Sequence, residues 1–183
     1  STVAENGGVI AIAGGGKVRS LTVGDLSTLS LPGTGAGTVT NLTFANTGTM
    51  NFNLAKGGAL VCPMANGITN NGGSGSITIN ITGGTPASGT YTLISYIGSL
   101  QGSGDSAYLL GTTPPGTYAL TSTPGAVKVI VLSPVLAWTG AQSTEWSINP
   151  IAGSKNWTLT GSPIDYSDGS PVLFDDAFAD RKS

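Results

Sequence analysis

The feature of this sequence that most constrains its fold is a series of short segments in which apolar and polar residues alternate. Alternation with a period of two is typical of a half-buried β-strand. Each segment ends at Gly, Asn, Pro or Ser, and no stretch of eleven or more residues has the apolar spacing of a helix. We therefore expect an all-β fold with almost no helix, with strands at residues 9–12, 18–23, 38–44, 50–54, 77–81, 91–96, 118–120 and 127–132.

Short strands at near-regular spacing with glycine-rich corners indicate either a β-sandwich or barrel, or a solenoid in which coils of chain stack on one another. Polar corners such as Gly33–Gly37 favour a solenoid-like stack of short strands in the first half. In the second half, residues 117–121 and 127–131 flank Pro124 and Gly125, a pattern that predicts an antiparallel hairpin. An antiparallel β-sandwich is the alternative fold.

The composition excludes some classes of function. Only 9% of the 183 residues are charged, against about 25% in an average domain. Seven Lys and Arg residues and a net charge of −2 provide no basic surface for nucleic acid. The longest apolar run, 127–136, contains Lys128 and Pro134 and is shorter than the roughly 20 residues that span a membrane. We expect no membrane insertion, and we expect any secretion signal to lie outside this sequence.

All three tryptophans lie after residue 134, so we expect a β region at 1–133 and a tryptophan-rich module with a tail at 134–183. The series Trp138-Thr-Gly, Trp146-Ser, Asn156-Trp, Asp168-Gly and Val172-Leu-Phe-Asp-Asp resembles the autotransporter-associated β-strand repeat proteins, which are large secreted surface proteins of bacteria. The resemblance implies a right-handed β-solenoid at the cell surface. It implies no catalytic residue that could be transferred to this chain.

Neither end of the sequence has the pattern of a finished domain edge, and the tail followed by another copy of the head would continue the strand pattern. An open sheet leaves unpaired N–H and C=O groups that a neighbouring strand can satisfy. We therefore predict an extracellular, non-enzymatic structural protein that assembles end to end with identical subunits or repeats into a fibre or surface coat. The apolar residues predicted to make these contacts are Val3, Val9, Ile10, Ile12, Val172, Leu173, Phe174 and Phe178.

Candidate chemistry is sparse. The chain has no histidine, so a Ser-His-Asp triad and a histidine metal ligand are excluded. Carboxylate catalysis could use only a few residues in the last quarter, whose spacing is more typical of turns and strand ends. Four of them could supply oxygen ligands for calcium, but they lack the spacing of an EF-hand loop, so the signal for a calcium site is weak. No other cofactor is expected. These four are Asp165, Asp168, Asp175 and Asp176, and Glu145 is the further carboxylate.

The tryptophans have two interpretations. As structural residues, Trp138, Trp146 and Trp157 would anchor the small module by burying large apolar surfaces. As functional residues, an exposed row of them could stack on sugar rings. The alternative functions are therefore a carbohydrate-binding or carbohydrate-cleaving solenoid with a polysaccharide partner, and an adhesive passenger domain.

Overall fold

The structure is a computed structural model that describes residues 2–84, 86–132, 136–138, 155–159, 162–166 and 172–174. These residues are nearly all β, with two short 3-10 turns at Leu54–Lys56 and Gly104–Ala107 and no α-helix. The chain divides into two compact units, Ser1–Val131 and Leu132–Ser183. No helix in the described part of the chain is long and apolar enough to span a membrane.

The described residues form eighteen strands, which we number in chain order. They are β1 Thr2–Ala4, β2 Val9–Ala11, β3 Lys17–Val23, β4 Ser27–Leu31, β5 Ala36–Phe44, β6 Gly48–Asn53, β7 Ala59–Ala65, β8 Ile68–Asn70, β9 Ile77–Thr82, β10 Gly89–Ile97, β11 Gln101–Gly102, β12 Tyr108–Leu110, β13 Thr117–Thr123, β14 Ala126–Leu132, β15 Leu136–Trp138, β16 Trp157–Leu159, β17 Ser162–Ile164 and β18 Val172–Phe174. Every strand segment expected from the alternating pattern is a strand in the structure.

The first unit contains two sheets, neither of which is closed. Strands β1, β3, β5, β7, β10, β14 and β13 follow one another across the first sheet, with β8 paired to β5 and β11. The second sheet has the order β12-β9-β6-β4-β2, and all its pairings are parallel. The first sheet is mixed, because β10 and β14 are antiparallel. The parallel second sheet differs from the antiparallel sandwich considered as an alternative.

The register of the second sheet is constant from one edge to the other. Val9 pairs with Thr28, and the same row continues through Thr49 and Thr78 to Leu109. Because alternate side chains of a strand point to opposite faces, each row lies wholly on one face. The neighbouring row faces the core and consists of Ile10, Leu29, Met50, Ile79 and Leu110.

The length of chain between paired positions grows across the second sheet while its register stays fixed. Val9 pairs with Thr28, 19 residues later, whereas Ile77 pairs with Tyr108, 31 residues later. The corners and the added strand β8 take up the extra residues.

Some corners are tight. A Cβ atom at Gly14 would collide with the backbone carbonyl of Thr34, so only glycine fits there.

The predicted hairpin is confirmed. Strands β13 and β14 are hydrogen-bonded neighbours and are joined only by Pro124 and Gly125. A two-residue connection can join only antiparallel strands. Gly125 has a φ of 83°, in the left-handed region that glycine adopts without strain. The hairpin therefore adds two strands to the first sheet beyond β10.

The core of the first unit lies between the inward faces of the two sheets. Its largest fully buried side chains are Phe44, Phe52, Leu21, Leu29, Leu31, Leu42, Met50, Leu60, Ile68, Ile77, Ile79 and Leu93. The expected alternation is confirmed in β6 and β9, where the residues at alternate positions are buried. Two polar side chains of this unit are also buried and bonded to backbone. Ser27 donates to the carbonyl of Ala4 at 3.3 Å, and Asn70 donates to that of Gly104 at 2.8 Å.

The second unit contains a separate mixed sheet in the order β17-β16-β15-β18. Strand β15 is antiparallel to β16 and parallel to β18. Trp157 on β16 is buried, and its ring meets that of Trp138 edge to face with centroids 5.0 Å apart. Trp157 also contacts Tyr166 at 5.1 Å between ring centroids. Trp157 thus anchors the described part of this unit, as the structural interpretation of the tryptophans predicts.

Candidate functional site

Two open sheet edges lie together at the N-terminal end of the first unit. Strand β1 is the outermost strand of the first sheet, and β2 is the outermost strand of the second. No strand among the described residues pairs with the outer side of either. Both strands are three residues long and contain neither a charged residue nor a proline. Natural edge strands commonly carry such residues, which discourage pairing with other chains.

The backbone groups that β2 leaves unpaired follow from its bonds to β4. The amide of Thr28 donates to the carbonyl of Gly8 at 2.8 Å, and the amide of Ile12 donates to the carbonyl of Ser30 at 2.9 Å. Alternate residues of a parallel strand turn their backbone groups to opposite sides. The N–H and C=O groups of Val9 and Ala11 therefore face the open side of β2.

The structure places the predicted N-terminal contact residues in different environments. Val3 and Val9 are 51% and 69% exposed on the two edge strands. Ile10 is half-buried against the core, and Ile12 is buried within it. Val3 and Val9 are thus available on the surface of the folded first unit. Ile10 and Ile12 could enter a neighbouring molecule only if their segment left its own coil.

The predicted C-terminal contact residues lie in the second unit. Val172, Leu173 and Phe174 form β18, the outermost strand of the third sheet, which pairs with β15 on one side. Phe178 lies outside the described residues. No other described strand pairs with the far side of β18, which belongs to a different unit from the two N-terminal edges.

A cavity of about 420 Å³ lies at the opposite end of the first unit, between β12 and the β13–β14 hairpin. Its lining includes Tyr108 and Leu110 from β12 and Tyr118, Leu120 and Val127 from the hairpin. Both tyrosine hydroxyl groups are buried, and neither has a hydrogen-bond partner of good geometry among the described residues. Burial raises the pKa of both phenols, most strongly that of Tyr108.

The carboxylate nearest this cavity is already engaged. Asp105 lines the cavity and accepts a hydrogen bond of 2.6 Å from the hydroxyl of Ser122. Strand β12 forms the edge of the second sheet there, while β14 and β13 extend the first sheet past it. The cavity therefore occupies the place where one more strand of the second sheet would lie.

The acidic residues considered for calcium or catalysis are only partly described. Asp165 forms a salt bridge with Lys155 at 2.8 Å. Asp168, Asp175 and Asp176 lie outside the described residues, as does Glu145. Among the described residues, no group of three or more His, Cys, Asp or Glu side chains lies close enough to hold a metal ion.

Two further titratable groups have structural partners. The pKa of Asp25 lies below its usual value of 3.8, chiefly because the hydroxyl of Thr47 donates to its carboxylate. This contact joins the corner after β3 to the corner after β5. Burial raises the pKa of the Cys62 thiol, which donates to the carbonyl of Thr40 at 3.2 Å. Cys62 therefore packs as a small apolar residue in the core.

The alternating pattern did not indicate the cavity or strand β12. Tyr108, Leu109 and Leu110 are three consecutive apolar residues, so they lack the alternation that predicts strands elsewhere in the chain. Their partner sequence Ile77-Thr-Ile-Asn-Ile was recognised as a strand. The position of β12 depends on the parallel register with β9, which cannot be read from either segment alone.

Comparison with known proteins identified no relative. No protein-family model, curated protein or solved structure matches the chain.

Proposed function

We propose that the first unit is a right-handed β-solenoid and that the chain is a non-enzymatic structural protein that assembles end to end. The solenoid is supported by the order of the strands, since the chain passes back and forth between the two sheets from β1 to β6 and each pass pairs in parallel with the one before. Connections between parallel strands of one sheet are almost always right-handed, which supports the handedness.

The observation that carries the assembly proposal is the pair of unprotected edges formed by β1 and β2. Val9 is 69% exposed, and the N–H and C=O groups of Val9 and Ala11 face outward. A strand from another repeat or subunit would satisfy these groups and continue the parallel sheet. Contact between two different surfaces generates open filaments when the rotation between copies does not close a ring.

The location that we propose is the bacterial cell surface or the extracellular space. Its support is the resemblance of the tryptophan-rich segment to the autotransporter-associated β-strand repeat proteins, together with the low content of charged residues. The partners are identical subunits or repeats, without a cofactor. Calcium binding by the acidic residues near the C-terminus stays a separate hypothesis, to be tested by adding a chelator to the assembled material.

The carbohydrate-binding alternative predicts exposed tryptophans along a groove. Trp157 is 2% exposed, so its ring is not available to stack on a sugar in the described structure. Trp146 lies outside the described residues. An adhesive passenger domain would share the fold and differ in having an external partner, so saturable binding to a polysaccharide or host surface would favour these alternatives.

The proposal is tested by a single charge on the β2 edge. Val9→Lys places an ammonium group beside the open backbone groups, and edge lysines oppose strand addition. Leu26→Lys is the matched control, because Leu26 is 74% exposed in a corner and not on an edge strand. Negative-stain electron microscopy and sedimentation velocity should show filaments for the wild type and for Leu26→Lys, and monomers for Val9→Lys.

Deletion of residues 1–12 provides a second test. The shortened chain should keep a β-rich circular dichroism spectrum, because the core extends from β3 to β14, and it should not polymerise. A wild-type chain that stays monomeric at all concentrations would overturn the assembly proposal. Unchanged filaments after the deletion would exclude the N-terminal edges as the contact.

A further inference from the structure

We propose that the cavity beside β12 is an acceptor slot for one extended strand, and that the strand is the N-terminal segment of a second copy of this chain. The inference rests on the proposed function and assigns the other half of its contact. Three features carry it: the unpaired backbone groups of β12, the register of the second sheet, and the apolar lining of the cavity.

The backbone of β12 presents a hydrogen-bond pattern suited to a parallel strand. The amide of Gly111 donates to the carbonyl of Ile79 at 2.8 Å, so alternate residues, Leu109 among them, turn toward β9. Tyr108 and Leu110 then turn their backbone groups to the open side. The Tyr108 amide already bonds the carbonyl of Asp105. The slot therefore offers the carbonyl of Tyr108 together with the N–H and C=O of Leu110.

The register of the sheet selects the residue that would meet these groups. The row Val9, Thr28, Thr49, Thr78 and Leu109 crosses the whole second sheet, and no strand among the described residues continues it at either end. If the row continues into a second copy, its Val9 lies opposite Leu109. In this register the Val9 amide donates to the carbonyl of Tyr108, and the Val9 carbonyl accepts from the amide of Leu110.

The side chains of the N-terminal segment match the lining of the slot. With Val9 opposite Leu109, the side chain of Val9 points to the outer face, and those of Ile10 and Ile12 point inward. They would pack against Tyr118, Leu120 and Val127. In its own coil the segment has the same orientation, with Ile12 buried and Val9 exposed. The exchange would thus reproduce contacts of the same kind, as in domain swapping.

The hairpin limits the occupant to a strand that has left its coil. Strands β14 and β13 fill the next two positions of the first sheet, so an intact first coil, with β1 opposite β2, has no room there. Strands β1 and β2 are three residues each and pair on one side only, so this coil can detach without breaking the pairing between other strands. The donor is therefore the released N-terminal segment.

The slot is tested with a fluorescent peptide of residues 6–13 and the full-length chain, kept below the concentration at which filaments form so that the slot is open. Leu110→Pro removes the amide that faces the slot and keeps the bonds to β9, since proline is tolerated on the open side of an edge strand. Leu110→Ala is the matched control, because it shortens the same side chain and keeps the amide. We expect saturable binding to wild type, a loss of about tenfold or more in affinity for Leu110→Pro, and a smaller loss for Leu110→Ala.

A second measurement covers the case in which Leu110→Pro does not fold. A peptide N-methylated at Val9 lacks the amide that would bond Tyr108, and it should bind wild-type protein about tenfold more weakly than the unmodified peptide. Equal binding of the two peptides would overturn the proposed register. Equal binding to wild type and to a folded Leu110→Pro would overturn the slot itself.

Electron microscopy of the same variants separates this inference from the proposed function. If wild type forms filaments and a folded Leu110→Pro protein forms them too, the slot is excluded as the contact and end-to-end assembly is still supported. Peptide binding by a wild-type chain that forms no filaments would support a strand-binding slot, and it would overturn both the assembly and a second copy as the source of the strand. If a sugar binds in the cavity and no excess of peptide displaces it, a strand is excluded as the occupant.

Discussion

The side-chain amide of Asn80 donates to the side-chain oxygen of Asn51 at 3.0 Å, across two strands paired in register. Asn80 also accepts a hydrogen bond of 2.8 Å from the amide of Thr112. The two bonds connect three successive passes of the chain on the outer face of the second sheet. This face is therefore held by side chains as well as by the backbone ladder.

Asn80→Ala should lower the free energy of unfolding by about 1–3 kcal/mol, because it removes two hydrogen bonds that each contribute about 0.5–1.5 kcal/mol. Thr78→Ala, two residues earlier on the same face, is the control and should cost less than about 1 kcal/mol. Urea denaturation followed by circular dichroism measures both. Equal losses of unfolding free energy in the two variants would show that the Asn80 hydrogen bonds contribute no stability beyond that of the strand itself.

Gly14→Ala should be strongly destabilising, because the new methyl group would collide with the backbone carbonyl of Thr34. Backbone cannot move aside as a flexible side chain can. Gly73→Ala is the control, since no atom lies within 4 Å of a Cβ at Gly73. It should be neutral or stabilise by up to about 1 kcal/mol through the unfolded state. Thermal melts of both variants would test the difference, and a stable Gly14→Ala would mean that this corner is looser than described.

Asp25 should make the first unit sensitive to acid. Its folded pKa is lowered by Thr47, so its contribution to stability is present above its usual pKa of 3.8 and is lost as the pH falls through the lower folded value. Asp25→Asn should therefore flatten the stability profile below about pH 4. Thr47→Val should have the same effect, and the double variant should add little more. Denaturation at pH 6 and at pH 2.5 measures the change, and simple additivity would contradict the coupling.

Trp157→Ala should unfold the second unit while the first unit keeps its structure. Removing a buried tryptophan costs about 3–5 kcal/mol, a large share of the stability of a small domain. Near-ultraviolet circular dichroism should lose the signal of the edge-to-face pair with Trp138. Lys155→Met is the comparison, since its partly exposed salt bridge with Asp165 should contribute about 1 kcal/mol or less. Similar losses for the two variants would contradict the anchoring role of Trp157.

The sequence was informative about strands and less so about their arrangement. Alternation in residues 50–54 and 77–81 indicates both the strands and their buried faces, because the period of two is a local property. The pair Pro124-Gly125 indicated the hairpin because turn chemistry is also local. The strand β12 has no alternation, and its place follows from pairing with a segment 31 residues earlier.

The candidate contact residues show the same limit. The residue types identify the apolar residues of the N-terminal segment, but they do not distinguish exposed Val9 from buried Ile12. That difference depends on which residues of the segment face the core, and therefore on the register with β4. The cavity beside β12 exists because the first sheet continues through β14 and β13 while the second sheet ends at β12, which is a property of the assembled unit.

The fixed register of the second sheet, combined with corners of varying length, would hold peptides displayed from the corners at defined separations. Each parallel pass adds one strand spacing, about 4.8 Å, whatever the number of residues in its corner. A foreign loop inserted next to Gly73, where the corner is open, would leave every row of the second sheet in place. Two loops inserted in successive corners would then stand at a separation set by the sheet and independent of their own length.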